Sequence, residues 1–572
     1  MKFLLKKNYI IFFLLTISFI TAEVSAKEAK IQYTRENISN YFSGIISANH
    51  DHNNKAFKYL KKAERIKNIH SQFNVEFIRS LVFLEKFDNA FAFSKNVWKE
   101  DEFFFETDLL LGLNSFIKKD YINAEKYFKR LNQISRYNLI FDDFIGNVLI
   151  AWIKASENNK EESFKYLEKI PSPYYHLKTT QEVFLKCFFD STDTEKNFQK
   201  LIKNENYNFS RYNFFLINYL LSKNKITEAK KIMQNAREEY SSNLLIKQTE
   251  VFLLNKKSEK IIDFFSCKNP EDSLAEFFYV IANLYSSEED YKLSNFYLKI
   301  SLFLNKNFST NKALLAENLY YKNKNLESKK IYQSLRPIGS VYSWYASKSV
   351  AAISIEEKGK KYSVQSLQKD FELLPNKNFE HYFELANFYK DNEYYKESIE
   401  YYSLALKKIN KENSLIPKIL ERRGTSYERL GDWEKAEKDL VESLSILPDQ
   451  AHVLNYLAYS WVDQGVNLDE GLEMLKKANE LRKDDGYIID SLGWVYFAKK
   501  NYDEAEFFLQ RAVELMPLDP IINDHYGDAL WMQNKNIQAR YVWGNVLKMK
   551  NTEKKLKEII KKKLIFGISK KL

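Results

Sequence analysis

The chain has 572 residues, of which 45% are hydrophobic and 16% aromatic, and a formal net charge of +11. It holds only 14 glycines and 9 prolines, too few for the turn-rich β-architectures. Its lysines mostly alternate with glutamates and aspartates, as on solvated helix faces, which speaks against the clustered charge of a nucleic-acid surface.

The first segment reads as an address. Lys2, Lys6 and Lys7 form a basic start, Tyr9 to Thr21 is a nearly unbroken apolar run, and Val24-Ser25-Ala26 is a small-residue cleavage site. The run falls short of the ~20 residues that cross a bilayer. The order predicts a secretory signal peptide over residues 1–26, with the mature chain beginning near Lys27 in a periplasm. An uncleaved membrane anchor is the alternative. Export permits disulfides, but Cys187 and Cys267 are 80 residues apart in sequence. Positions two repeats apart in a regular stack rarely approach within the ~7 Å that bridging requires, so two buried free thiols are expected.

From residue 27 onward a beat of 34 residues appears. Gly44, Ile78, Gly112 and Gly146 keep that interval, and Ala56, Ala90 and Ala124 follow twelve positions behind. Apolar residues between them fall at helical spacing, as with Phe57, Leu60 and Ala63. The register is hard to follow between Pro171 and about Arg211. It returns over Phe214–Ala236, then at Ala282 and Ala316, which are again 34 apart. Val341–Leu374 reads as a loosely matched helical pair that ends at Pro375. From Pro417 to about Thr552 the pattern is written four times, with Gly424, Ala458, Gly493 and Gly527 at intervals of 34, 35 and 34. Ala436, Gly471, Ala505 and Ala539 trail them by twelve or thirteen positions. A fixed period of this length marks stacked helical hairpins. About ten to thirteen hairpins are expected, in one continuous stack without a linker.

In the C-terminal repeats the pattern becomes specific. Leu420, Gly424, Tyr427, Gly431, Trp433, Ala436, Leu440, Leu444 and Pro448 fall at the spacings of the tetratricopeptide repeat (TPR), which they resemble. Ile489, Leu492, Gly493, Tyr496, Tyr502, Ala505, Leu509, Ala512 and Pro517 repeat the series. The segments from Leu454 to Trp494 and from Ile522 to Asp528 further resemble exported TPR proteins of α-proteobacteria, whose biochemical role is largely unassigned. The resemblance implies an all-α fold, an α-solenoid of stacked antiparallel helical hairpins wound into a TPR superhelix. Divergent repeats would fill 27–375, well-matched ones 376–553, and a basic capping helix or tail 554–572.

Such arrays bind extended segments along the concave face made by their first helices. By resemblance, the groove positions here are His452, Asn455 and Tyr459, then Tyr487, Asp490 and Trp494, then Asp524, Asp528 and Trp531. Aromatic faces and carboxylates both favour cations, so the expected partner is another protein, and in particular a basic peptide segment. The alternative is that Trp494 and Trp531 pack between repeats while the aspartates cap helices or sit in water. No catalytic residues, cofactor or metal site are expected. His50-Asp51-His52 lacks further ligands nearby, neither cysteine has a CxxC neighbour, and GxSxG, HExxH and phosphate-loop motifs do not occur.

The tail, Glu553–Leu572, carries eight lysines against two glutamates, with Leu556, Ile559, Ile560, Leu564 and Ile565 at roughly helical spacing. It reads as a terminal cap or as a basic amphipathic helix on an anionic membrane surface. The sequence as a whole points to a non-enzymatic periplasmic scaffold serving the cell envelope. Direct binding of peptidoglycan, glycan or lipid is the alternative.

Overall fold

The computed structural model describes residues 33–67, 70–135, 144–204, 209–239 and 242–568. The expected signal segment, 1–26, lies outside them. The described residues form helices and turns with no strand among them, and the architecture is the all-α repeat stack that the 34-residue beat implies.

The hairpins follow from two local devices. Each first helix ends on a residue in the left-handed region, which closes its last turn. At Gly431 (φ 79) the Gly431 N–H donates to Glu428 O at 2.8 Å, and the Asp432 N–H donates to Tyr427 O at 3.0 Å. The same conformation recurs at Asp51, Glu85, Lys119, Asn158, Asp190, Asn224, Lys256, Glu289 and Asn323, and again at Glu393, Gly465, Lys500 and Asn534. That makes fourteen hairpin turns among the described residues, more than the ten to thirteen expected from the sequence. The excess lies where substitution had blurred the pattern. Asp190 marks a turn inside the stretch, Pro171 to about Arg211, whose register is hard to follow. Asparagine and aspartate tolerate the left-handed region without glycine's signature in the sequence.

The second device is close approach of the paired helices. A Cβ on Gly493 would lie 2.6 Å from Leu509 Cγ, so only glycine lets Gly486–Ala498 rest against Tyr502–Leu515. Ala505 and Leu509 fill the seam and are fully buried.

The expected single stack divides into two compact units, Met1–Glu357 and Lys358–Leu572. The helical stretch Ser340–Glu372 is interrupted at Gly359 (φ 82, ψ 162), 34 residues before the turn at Glu393. The change in match quality expected at 375/376 falls after this division.

The N-terminal unit closes on itself. Lys292 meets Glu76 at 3.1 Å and Lys299 meets Glu85 at 2.5 Å, while Phe87 stacks on Phe303 with centroids 4.0 Å apart. Lys324 Nζ donates to His50 O at 2.9 Å and Lys322 pairs with Asp51, so ammonium groups fill the His50-Asp51-His52 turn. Buried pairs hold the interior of the unit. Arg211 Nε bonds Glu276 Oε1 at 2.7 Å, and the same guanidinium reaches Asn311 Oδ1 at 2.8 Å.

The two cysteines form a disulfide, Cys187–Cys267, with Cα atoms 5.9 Å apart. This corrects the expectation of free thiols, and the reason is local. The helix Ser258–Ile262 has only 5 residues, so the chain after it folds back onto earlier repeats. Asn218 Nδ2 donates to Ile261 O and Phe265 O, both at 2.9 Å, and Lys268 Nζ donates to Phe188 O at 2.7 Å. Spacing rules for full-length helices do not hold where one helix is truncated.

Candidate functional site

The C-terminal unit contains five hairpins, beginning with Phe379–Asp391 and Tyr395–Lys408 and ending with Pro520–Met532 and Asn536–Val546. The final helix, Lys554–Phe566, packs Leu556, Ile560 and Leu564 against Leu530, Trp543 and Val546. The first helices of three successive hairpins, Ile416–Arg429, Ala451–Asp463 and Gly486–Ala498, line a cleft of about 330 Å³. Its walls are Glu421, Thr425, His452, Asn455, Tyr456, Asp485 and Tyr487, floored by Leu440, Val453 and Ile488.

The chemistry of this cleft is one-sided. Two carboxylates, an amide and two phenol rings face it, and no lysine or arginine does. Asn455 Oδ1 is buried without a hydrogen-bond partner, an acceptor that a ligand donor would satisfy. Asp485 caps its own helix, accepting from Tyr487 N at 3.1 Å, and the Tyr456 hydroxyl donates to Glu428 at 2.6 Å, which fixes the ring as a wall. Glu421 forms no salt bridge among the described residues. Tyr487 is 55% exposed, a large ring left at the rim.

The nine expected groove residues therefore divide. His452, Asn455 and Tyr487 line the cleft. Tyr459 is half-buried, its hydroxyl pushed up to about 12 by burial, with the charges of Asp490 and Asp463 adding. The remaining five are engaged within the repeats. His525 Nδ1 lies 3.0 Å from Asp490 Oδ1, and Trp494 stacks on the His525 ring at 4.0 Å. Lys563 of the final helix sets its Nζ 2.7 Å from Asp524 Oδ1 and 2.7 Å from both Asp528 oxygens. Trp543 Nε1 donates to Asp528 Oδ1 at 3.1 Å. Trp531 is half-buried under Gly567 and Arg540.

The electrostatics follow from this enclosure. Burial opposes charge on His525, yet Asp490, Asp528 and Asp524 together raise its pKa above the ordinary value. Burial, reinforced by Asp524, raises Asp528 to about 7, against the pull of Lys563 and His525. The acid–aromatic patch read from the sequence is thus an internal network over its C-terminal half. Its aspartates sit where each successive helix delivers a partner, His525 and then Lys563. The open half lies one repeat earlier. Glu421 and Thr425 were missed, although both were legible. Glu421, Asn455, Asp490 and Asp524 each stand three residues before a small residue of the beat, and Thr425 stands one after Gly424. Tyr456 and Asp485 are out of that phase and carry no such signal.

Residues 488–519 and 380–407 match models of the tetratricopeptide repeat family. These segments are tetratricopeptide repeats. A TPR repeat-containing protein of Pseudomonas aeruginosa is 33% identical over 110 residues, which is 19% of this chain and 18% of the relative's length. A tetratricopeptide repeat protein from Parabacteroides merdae aligns over 39% of this chain and 85% of its own, at 20% identity and a TM-score of 0.34. A thermophilic TPR protein of Thermus thermophilus aligns over 33% of this chain and 99% of its own, at 17% identity and a TM-score of 0.28. The TPR fold is typically a non-catalytic scaffold, and TPR proteins generally bind other proteins.

Proposed function

We propose that this chain is an exported scaffold, working in the periplasm on assembly or maintenance of the cell envelope. Its C-terminal TPR unit would hold a basic segment of another protein. The observation that carries this reading is the cleft shared by three first helices, with Glu421, Asn455, Asp485 and two tyrosines facing it and no cation on its walls. A lysine or arginine side chain supplies what Glu421, Asn455 and the rings lack, namely donors for the free carboxylate and amide oxygens and a cation for the phenol faces, whereas Asp485 is already held by Tyr487 N and Arg482. The order of basic, apolar and small residues at the N-terminus favours export. The Cys187–Cys267 disulfide favours an oxidising compartment, where such bonds persist.

The test is a crosslinked pulldown from intact cells, comparing the full chain with Glu421→Lys/Asn455→Ala. A defined protein set that the variant loses supports the reading. An identical set from both, or none from either, contradicts it. Capture of wall or lipid material alone would instead favour direct binding of glycan or lipid.

A further inference from the structure

The final helix is built as a cap on one side only. Leu556, Ile560, Lys563 and Leu564 share the face turned to the last hairpin, where Lys563 meets Asp524 and Asp528. On the opposite side Lys555, Ile559, Lys562 and Phe566 follow one another at helical spacing, in line along the outer surface. Ile565 and Lys561 lie beside them. Ile559 is 41% exposed, Ile565 67% and Phe566 79%. Lys554, Lys555, Lys561 and Lys562 are exposed and make no salt bridge among the described residues. The sequence then continues with Lys570 and Lys571.

A helix that only seals the end of a repeat stack needs a polar outer face. This one instead sets four unpaired cations and the largest apolar side chains on its surface, with Glu558 the one carboxylate of the helix among them. That combination suits an anionic lipid interface, where lysines meet phosphates and aromatic or aliphatic side chains enter the headgroup boundary. With 13 residues the helix is ~20 Å long, well short of the ~30 Å hydrocarbon core, so it would lie along the surface. The inward leucines and isoleucine are already spent on the last hairpin. The contact surface is therefore the opposite side of the helix from the one its apolar spacing suggests.

We propose that the outer face of Lys554–Phe566 docks the C-terminal unit on an anionic membrane surface, through Lys555, Lys561 and Lys562 with Ile559, Ile565 and Phe566. The docking is independent of the cleft.

The test is sedimentation of the full-length protein with vesicles of phosphatidylcholine and phosphatidylglycerol at about 3:1, and with phosphatidylcholine alone. The protein should sediment with the anionic vesicles only, and less as salt is raised. Ile565→Ser/Phe566→Ser and Lys561→Glu/Lys562→Glu should each weaken binding at least ~10-fold. Both alter outward residues, so each checks the other should one fold poorly. Glu421→Lys should bind vesicles as the parent does, which separates this docking from occupancy of the cleft. Absence of binding, equal binding to neutral vesicles, or binding that neither variant reduces would overturn the proposal. So would capture of an acidic protein in place of lipid by the same face.

Discussion

Replacing Lys563 by methionine should destabilise the last hairpins by an amount that grows with pH. The parent site holds one ammonium among three oxygens of Asp524 and Asp528, all at 2.7 Å, and both aspartates are less than a tenth exposed. Methionine keeps the stem that packs beside Leu564 but removes every one of those bonds. Removing one partner from a buried ion pair costs ~3–5 kcal/mol, because the other charge is left without compensation. Here a carboxyl can escape that cost by taking a proton. Asp528 already has its pKa raised to about 7 by burial and Asp524, and loss of Lys563 removes a group that holds it down. A raised carboxyl contributes stability that is full below the ordinary carboxylate range and lost as pH rises through the folded value. The variant should therefore lose only ~1 kcal/mol near pH 5, about one hydrogen bond. Near pH 8, where both carboxylates are forced to ionise, it should lose ~3 kcal/mol or more. His525 acts in the same direction, since its folded pKa is also raised and its contribution fades as pH rises. Urea unfolding at both pH values, followed through Trp494, Trp531 and Trp543, reads the difference. An equal loss at both, or no loss, would refute the coupling drawn between the final helix and the aspartates.

Two further substitutions test the fold. Cys187→Ser/Cys267→Ser should lower the stability of the N-terminal unit by up to ~4.5 kcal/mol, the loop-closure value for a sequence separation of 80. A reductant should lower the parent's unfolding midpoint toward that of the variant and leave the variant's unchanged. Gly527→Ala would set a methyl 2.3 Å from Trp543 Nε1, against a ring that is fully buried and bonded to Asp528. Overpacking of this kind should cost ~1–3 kcal/mol in urea unfolding, whereas Gly544→Ala, with open space around it, should cost little.

The architecture was legible because its determinants repeat. One small residue per hairpin, set by close approach of two helices, returns every 34 or 35 residues in Gly424, Ala458, Gly493 and Gly527, a beat that marks stacked helical hairpins. Three features were not legible, each for a physical reason. The hairpin turn at Asp190 uses an aspartate in the left-handed region in place of glycine. The disulfide depends on a helix cut to five residues at Ser258–Ile262, a departure from the repeat that no spacing rule carries. The closure of the N-terminal unit depends on pairs such as Lys292–Glu76, more than two hundred residues apart. Within the candidate site, phase within the repeat located the first-helix positions but not what faces them. Asp524 and Glu421 hold the same position in their repeats, yet one meets Lys563 and the other faces an open cleft.

The proposed scaffold function turns on whether that cleft holds a partner. The most direct measurement places a photo-crosslinking amino acid at Tyr487, on the rim, and in a second protein at Ile537, which is 85% exposed and outside the cleft. Irradiation of intact cells should join position 487 to a defined protein through a lysine- or arginine-containing segment, with the adduct lost on Glu421→Lys. Position 537 should give no such adduct. The same products from both positions, or an adduct at 487 that Glu421→Lys leaves unchanged, would contradict the account.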